Sequence, residues 1–146
     1  MEYFSYSQKA FLYKYVVMLS DTDQFKHMSF ANYLKLMFLA TDALFVSCFD
    51  NDFLAKNRLR LVKSRMQFKR QTVCGDNILI KVNSSEFSGS QFSLLYTFAI
   101  ENSGELVSLA RQSYELLDTD HGQKKNLTDA ITYVLAPILV DEKYLI

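Results

Sequence analysis

Apolar and polar positions alternate over residues 11–19. The odd-numbered residues of this stretch are apolar or aromatic and fall on one face at a period of two. That alternation predicts a half-buried β-strand. The next ten residues, SDTDQFKHMS, are mostly polar, so a loop is expected over residues 20–29.

From about residue 30 to residue 49 the apolar positions recur at steps of three and four, which predicts an α-helix. Further apolar residues fill most of the remaining circumference, and a helix that is apolar nearly all round is normally buried. Other elements must therefore wrap this helix. One of its apolar rows consists of Leu34, Phe38, Thr41, Phe45 and Cys48.

Four more strands are predicted downstream, at about 60–70, 78–87, 92–100 and 105–117. A glycine lies in each short link between them, and links of this length imply antiparallel pairing. Residues 127–139 predict a short final helix that is interrupted at Pro137.

The order of elements is one strand, a long helix and then four strands. A single sheet curled around the helix is the economical way to bury it, so the α+β class is expected, with an antiparallel sheet wrapped around one buried helix. The length of 146 residues favours a single domain over residues 1–146. Its core is expected over about 11–127, with a C-terminal extension over 128–146.

Charge and cysteine content exclude several classes of protein. Lys plus Arg and Asp plus Glu both number 16, which gives no reason to expect nucleic-acid binding. No apolar run approaches the ~20 residues that span a bilayer, and the first residues lack the pattern of a signal peptide. Cys48 and Cys74 are too few for a disulfide framework, so a cytoplasmic location is expected. Two histidines and two cysteines at wide spacing form no zinc pattern, and no metal or cofactor is expected.

The stretch 21–34, DTDQFKHMSFANYL, carries the candidate chemistry. Two carboxylates precede a helix start, where unpaired N–H groups and a partial positive charge stabilise a developing oxyanion. Asp21 and Asp23 share a face if the strand continues through them. A neighbouring carboxylate would then raise the pKa of one of the two, as suits a general base. Otherwise Asp21 stays solvated.

These residues resemble a known family, the hotdog-fold thioesterases of the hydroxybenzoyl-CoA thioesterase-like type. That family carries D-x-D-x-x-G-H-V-N-N-x-x-Y-L at the end of its first strand, and its buried helix follows. The segment QTVCGDNI, with Gly75 and Asp76, resembles the family's P-x-x-x-G-D-x-L turn without the proline, and GELVS resembles a family hairpin. The resemblance covers roughly residues 11–127. The chain is also similar to the enediyne polyketide thioesterases, although those have Asn at the position of Asp23 and Arg at that of Thr41.

The resemblance implies hydrolysis of an acyl thioester, fatty or polyketide, carried on coenzyme A or on an acyl carrier protein. Asp23 corresponds to the catalytic carboxylate, as a base or a nucleophile, and amides at the helix start would hold the thioester oxygen. A homodimer or homotetramer with sites at the subunit interface is also implied. The residues expected to contact substrate are His27, Ser29, Phe30, Asn32 and Tyr33.

Two departures from the motif keep alternatives open. Lys26 replaces the family glycine, which permits a positive φ, and Ser29-Phe30 replaces an Asn-Asn pair. They leave room for a non-catalytic acyl-binding protein. A dehydratase or hydratase of the same fold ranks lower, because His27 is the only histidine near the motif. His27 either polarises the substrate or pairs with Asp23, or it is an exposed loop residue.

Residues 58–70 hold six basic side chains and no acidic one. Of these, Lys63, Arg65 and Lys69 share one strand face. Such a patch suits the phosphates of coenzyme A or an acidic carrier protein. The alternative is an ordinary solvated face.

Overall fold

The computed structural model describes residues 9–140 of the chain. Its strands are β1 (Phe11–Val16), β2 (Asn57–Phe68), β3 (Asn77–Ser88), β4 (Gln91–Ile100) and β5 (Leu106–Asp118). Its α-helices are α1 (Phe30–Cys48), α2 (Asn51–Lys56) and α3 (Asp129–Leu135), with 3₁₀ turns at Leu19–Asp21 and Ala136–Ile138.

The five strands form one sheet in the order β1-β3-β4-β5-β2, and every neighbouring pair is antiparallel. Gly89 (φ +60°) and Gly104 (φ +75°) supply the left-handed residues of the two tight links that join β3 to β4 and β4 to β5. The expected α+β architecture, an antiparallel sheet against one long helix, is confirmed.

The core lies between α1 and one face of the sheet. Along β4 the even-numbered residues face the helix and are almost fully buried, with Phe92, Tyr96 and Phe98 at 1%, 1% and 0% exposure. Burying each such side chain contributes about 1.5–3 kcal/mol. The period-two apolar pattern that predicted the strands is therefore the pattern of contact with α1.

Helix α1 is not buried all round, contrary to the expectation from its apolar circumference. One face packs on the sheet, and residues such as Leu36, Met37 and Ala40 are fully buried. Phe38 and Val46, on the other side, are 41% and 65% exposed. A single sheet layer covers only one side of a helix, so the second side remains open within the described residues.

A buried polar network crosses the centre of the core. The Thr41 hydroxyl on α1 lies within hydrogen-bond distance of Tyr96 and Tyr114, whose hydroxyls are 3.1 Å apart. The Tyr114 hydroxyl donates to Gln112, which donates in turn to Ser64 on β2 at 3.2 Å. Burial raises the pKa of both tyrosines, so they stay neutral hydrogen-bonding groups at physiological pH.

The boundaries of several elements differ from those expected. β1 ends at Val16 rather than near residue 19, because a 3₁₀ turn follows. The connector after α1 forms α2, whose first turn is capped by Asp50 accepting from the Phe53 amide at 2.8 Å. The expected helix over 127–139 is α3 followed by a 3₁₀ turn at Pro137.

Cys48 and Cys74 are both exposed free thiols. None of the helices in the part of the chain that the structure describes has the length and hydrophobicity needed to cross a membrane.

Candidate active site

A tight loop positions Asp23 ahead of helix α1. The Asp23 amide donates to the His27 carbonyl at 2.9 Å, and the Lys26 amide donates to the Asp23 carbonyl at 2.9 Å. Asp23 Oδ1 accepts from the amides of Phe25 at 2.8 Å and His27 at 3.3 Å. Asp23 Oδ2 has no hydrogen-bond partner among residues 9–140 and is left for solvent or a ligand.

Lys26 keeps the backbone conformation that glycine would supply at this position. Its φ is +64°, in the left-handed region. A residue with a Cβ pays roughly 1–2 kcal/mol to adopt this conformation. The loop therefore retains its geometry despite the substitution, and the departure at Lys26 no longer argues against catalysis.

Asp21 and Asp23 do not share a face, because β1 ends before either residue. Asp21 is only 4% exposed and points inward. Its Oδ2 accepts from the Tyr15 hydroxyl at 2.7 Å and the Met18 amide at 2.8 Å. Burial and the hydrogen bond to this carboxylate raise the pKa of Tyr15 to about 12. Asp21 is neither solvated nor paired with Asp23, which lies exposed on the surface.

The N-terminus of α1 is left without a side-chain cap. Ser29 occupies the N-cap position, but its hydroxyl caps no backbone amide and instead accepts from Asn32 Nδ2 at 2.9 Å. The first turn contains no acidic residue. The opening amides of the helix, at Phe30 and Ala31, have no acceptor within the helix and present its positive end.

Asp23 and this helix end line the same cleft, which has a volume of about 380 Å³. Five of the expected site residues meet here, namely Asp23, His27, Ser29, Phe30 and Tyr33. The full lining is Asp23, Phe25, His27, Met28, Ser29, Phe30, Tyr33, Phe68, Arg70 and Gln71.

Asn32 does not line this cleft, contrary to its assignment as a substrate contact. Its side-chain amide donates to the Asp21 carbonyl at 2.7 Å and to the Ser29 hydroxyl at 2.9 Å. Asn32 therefore braces the loop against the first turn of α1. His27 contacts Asp23 through its backbone rather than its ring.

Aromatic rings form one wall of the cleft. Phe30 and Tyr33 lie 5.7 Å and 5.1 Å from Phe68, measured between ring centroids. Phe30 and Phe68 are 57% and 46% exposed. Where the family motif has an Asn-Asn pair, this chain has Ser29-Phe30. Phe30 therefore contributes an apolar ring to the cleft wall instead of a polar side chain.

The cleft also contains residues that the sequence did not single out. Arg70 lies at its edge, where Nη1 pairs with Glu105 Oε2 at 2.6 Å and Nε donates to the Gln71 carbonyl at 3.2 Å. Thr72 lies within 3.0 Å of the Tyr33 hydroxyl and fixes that ring. Burial raises the pKa of Tyr33. In the sequence, the only indication that Arg70 could belong to a functional site was its position at the end of the basic run over residues 58–70.

The basic residues of β2 do not line this cleft. Phe68 contacts Tyr33 on the helix side of the sheet, whereas Lys63 and Arg65 project from the opposite face together with Arg111 of β5. Lys69 follows the end of β2, and its amide donates to the Val107 carbonyl at 2.9 Å. Across residues 9–140, no group of three or more His, Cys, Asp or Glu side chains converges as a metal site would require.

Structural comparison finds the same fold in solved thioesterases. A 1,4-dihydroxy-2-naphthoyl-CoA thioesterase from Synechocystis is 20% identical, with 88% of this chain and 96% of that chain covered and a TM-score of 0.76. The dynemicin thioesterase is 15% identical over 91% and 99% of the two chains, with a TM-score of 0.83. A gentisyl-coenzyme A thioesterase is 18% identical over 85% and 98%, with a TM-score of 0.74.

At these identities the structural likeness shows the fold alone. No curated protein matches the sequence. The sequence profile of the Thioesterase-like superfamily matches residues 17–135, which include the Asp23 loop, α1 and all four later strands. With most of the chain matched and the hotdog architecture observed, the protein belongs to the thioesterase-like superfamily.

Proposed function

We propose that this protein is a thioesterase that hydrolyses an acyl thioester of coenzyme A or acyl carrier protein, with Asp23 as its catalytic residue. The observation that carries the proposal is one cleft that combines two features. One is Asp23 Oδ2, a carboxylate oxygen with no hydrogen-bond partner in the described part of the chain, and the other is the N-terminus of a 19-residue helix, which has no side-chain cap there. General-base and oxyanion groups are the two that hydrolysis of a thioester requires.

In the proposed reaction Asp23 Oδ2 accepts a proton from water as the water oxygen bonds to the thioester carbonyl carbon. The carbonyl oxygen gains negative charge and is stabilised by the opening amides of α1, at Phe30 and Ala31. The C–S bond then breaks, and the thiolate takes up the proton, which releases the acid and the free thiol. Asp23 Oδ1 stays bound to two backbone amides, which holds the reacting oxygen in position.

Thioesterases of the same fold support a coenzyme A substrate, since two of those compared are named for naphthoyl-CoA and gentisyl-CoA. Phe30, Tyr33 and Phe68 would contact the acyl group, while Arg70 and His27 supply polar contacts at the cleft. An acyl carrier protein remains part of the proposal as the alternative carrier. A cytoplasmic location is also proposed, which the free thiols of Cys48 and Cys74 support.

We further propose a homodimer or homotetramer. Strand β2 lies at the edge of the sheet and is largely exposed along its length, with Val62 and Phe68 at 50% and 46%. A long exposed edge strand with apolar residues promotes aggregation, and pairing with the same edge of a second copy covers it. Light scattering of the purified protein tests this, with Val62→Glu expected to shift the population toward monomer. A monomeric wild type at assay concentrations would contradict it.

Turnover of acyl-CoA and acyl-carrier-protein thioesters by wild type and Asp23→Asn tests the catalytic proposal. The control is Asp50→Asn, which makes the same chemical change at an exposed helix cap where Asn serves equally well. We expect kcat to fall about 10²–10⁴-fold in Asp23→Asn only. Hydrolysis that survives unchanged in this variant removes Asp23 from the mechanism.

Two further results separate the alternatives. A single turnover in heavy-oxygen water labels the released acid if Asp23 is a general base, whereas a nucleophilic Asp23 donates its own oxygen first. Tight acyl binding without any turnover contradicts the proposal in favour of an acyl-binding protein, and water addition to an enoyl thioester would indicate a hydratase.

A further inference from the structure

The N-terminus of α1 differs from those of the other α-helices that the structure describes. Asp50 caps α2 by accepting from the Phe53 amide at 2.8 Å. Thr128 caps α3 by accepting from the Ile131 amide at 3.4 Å. Serine is among the most favourable N-cap residues, yet the Ser29 hydroxyl accepts from no backbone amide at the start of α1. Another contact therefore holds the Ser29 hydroxyl away from these amides.

The side-chain amide of Asn32 makes this contact. Asn32 is the third residue of α1, and its Nδ2 donates to the Ser29 hydroxyl at 2.9 Å and to the Asp21 carbonyl at 2.7 Å. In an ordinary cap the hydroxyl would accept from the backbone amide of the second or third helical residue. The Asn32 NH₂ group takes the place of that amide, and the backbone amide of Asn32 donates to the Ser29 carbonyl at 3.0 Å instead.

The orientation of the Asn32 side chain follows from its second acceptor. A carbonyl oxygen only accepts hydrogen bonds, so the Asp21 carbonyl selects the NH₂ group of Asn32 on this side. The same carbonyl accepts from the Ser29 amide at 3.1 Å. Asp21 is itself held through its buried carboxylate, which accepts from the Tyr15 hydroxyl and the Met18 amide. Ser29 is therefore bound at both its amide and its hydroxyl to groups of fixed position.

The amides that remain free are those that would hold the thioester oxygen in the proposed reaction. The Phe30 and Ala31 amides have no acceptor within residues 9–140, and both residues are exposed. A hydroxyl bound to either amide would compete with an oxyanion for the same N–H group. Loss of one oxyanion donor lowers kcat about 10²–10³-fold in known enzymes. The position of the Ser29 hydroxyl therefore matters for hydrolysis.

We propose that Asn32 is a positioning residue of the candidate active site, which keeps the Ser29 hydroxyl from capping α1 and leaves the opening amides free for the oxyanion. The position of the hydroxyl follows from the contacts of Asn32, whereas its effect on catalysis rests on the proposed function. Without the Asn32 side chain the hydroxyl is released and binds the Ala31 amide, because the backbone amide of residue 32 already donates to the Ser29 carbonyl.

Thioester turnover by Asn32→Ala and by the double variant Asn32→Ala/Ser29→Ala tests the effect on catalysis. We expect kcat to fall about tenfold or more in Asn32→Ala, because the capped amide must give up its bond before the oxyanion can form one. Adding Ser29→Ala removes the capping hydroxyl and should raise kcat again by about tenfold. Ser29→Ala in the wild-type background should give no such increase. If Asn32 only braced the loop, the double variant would be no more active than Asn32→Ala.

Asn57→Ala is the matched control. The Asn57 side chain donates to the Phe53 carbonyl at 2.8 Å at the end of α2, and Asn57 does not line the cleft of Asp23. This variant loses the same side chain and a comparable hydrogen bond, so kcat should stay close to that of wild type. It thus separates a general loss of stability from the loss of free amides at α1.

Amide hydrogen exchange of the full chain, followed by NMR, reports the position of the hydroxyl without any substrate. The Ala31 amide should exchange fast in wild type, and about fivefold or more slowly in Asn32→Ala, where the hydroxyl protects it. Thr128→Ala is the positive control, because loss of an existing cap should speed exchange at Ile131. A wild type that hydrolyses no thioester would refute the proposed function, and the exchange rates would still decide where the Ser29 hydroxyl binds.

Three results would overturn the proposal. The first is an Asn32→Ala variant that keeps the kcat of wild type, and the second is a double variant that regains none of the lost activity. The third is faster exchange at Ala31 in Ser29→Ala, because the hydroxyl would then be a cap in the intact protein. The third measurement needs no substitution at Asn32, so it decides the proposal even if Asn32→Ala fails to fold.

Discussion

The two aspartates of the segment Asp21-Thr22-Asp23 have opposite surroundings and should respond in opposite ways to the same substitution. Asp21 is buried and its carboxylate accepts two hydrogen bonds from Tyr15 and Met18. Asp23 is exposed, with one oxygen bound to loop amides and the other directed to no protein group among the described residues. Replacing each in turn by Asn keeps the shape and removes the charge.

The size of each effect follows from these contacts. A hydrogen bond to a charged group contributes about 1.5–3 kcal/mol. Asn at position 21 would in addition place its NH₂ group, a donor, where the Tyr15 hydroxyl and the Met18 amide now donate to a carboxylate oxygen. Asp21→Asn should therefore destabilise the fold by about 2–3 kcal/mol, which lowers Tm by roughly 6–12 °C in a domain of this size. In Asp23→Asn the side-chain oxygen still accepts from Phe25 and His27. Its stability should change by less than about 0.5 kcal/mol.

Activity should show the reverse order. Asp23→Asn removes the proton acceptor and should lower kcat about 10²–10⁴-fold, with KM little changed. Asp21→Asn leaves the reacting groups in place, so its kcat should stay close to that of wild type at temperatures where it is folded. Urea unfolding followed by circular dichroism measures the free energy of unfolding, and thioester hydrolysis below the lower Tm measures kcat.

An exchange of behaviour between the two variants would contradict the roles assigned to Asp21 and Asp23. A stable Asp21→Asn protein with lost kcat would mean that Asp21, and not Asp23, acts on the substrate. An Asp23→Asn protein that unfolds early would mean that its loop contacts, rather than chemistry, explain any loss of activity. Measuring both variants for both properties separates these results from the expected one.

Three further predictions concern individual contacts. Lys26→Gly should raise the unfolding free energy by up to about 1 kcal/mol at unchanged kcat, because relief of the left-handed strain exceeds the entropic cost of glycine; a lower Tm would contradict it. Tyr15 has its pKa raised to about 12 from 10, so its stabilising contribution is complete below pH 10 and lost as the pH rises through 12. Tyr15→Phe should lose less stability over that range in alkaline unfolding, and parallel curves would refute this. Burial raises the pKa of Glu115, but hydrogen bonds from Gln91, Arg60 and Lys124 outweigh it and hold the pKa below its usual value. The Tm deficit of Glu115→Gln should thus be present above about pH 4.5 and shrink as the pH falls below it.

Local patterns in the sequence were sufficient for the five strands, for α1 and for the antiparallel class of the sheet. They were not sufficient for the strand order, because the short link at Gly75 predicted a pairing of β2 with β3, and these strands are not neighbours in the sheet. In β4 every second residue contacts the core, and in α1 every third or fourth residue does. These regular contacts appear in the sequence as a regular spacing of apolar residues. Glycines at 89 and 104 mark the links that make the strands antiparallel. The position of Asp23 between strand end and helix start was visible for the same reason.

Environments that depend on residues distant in the chain were not accessible in this way. The motif assigned the catalytic role to Asp23, but no local pattern predicted that Asp21 is buried and Asp23 exposed. The contact of Asp21 with Tyr15 and the early end of β1 decide this. Asn32 matches the family motif, but its side chain binds the Asp21 carbonyl and the Ser29 hydroxyl instead of lining the cleft. Arg70 lines the cleft from the end of β2, and no local pattern in the sequence connects this strand end with the Asp23 loop.

The basic residues on the face of the sheet opposite α1 illustrate the same division. The basic run over 58–70 was evident from composition, and alternation assigned Lys63 and Arg65 to one face. Whether that face lay beside the candidate active site depended on the side of the sheet that α1 covers. The opposition of Arg65 to Arg111 depended on strand register, across 46 residues of sequence. Register and layer order are set by the packing of the whole core, because a shift of one residue would expose its apolar face.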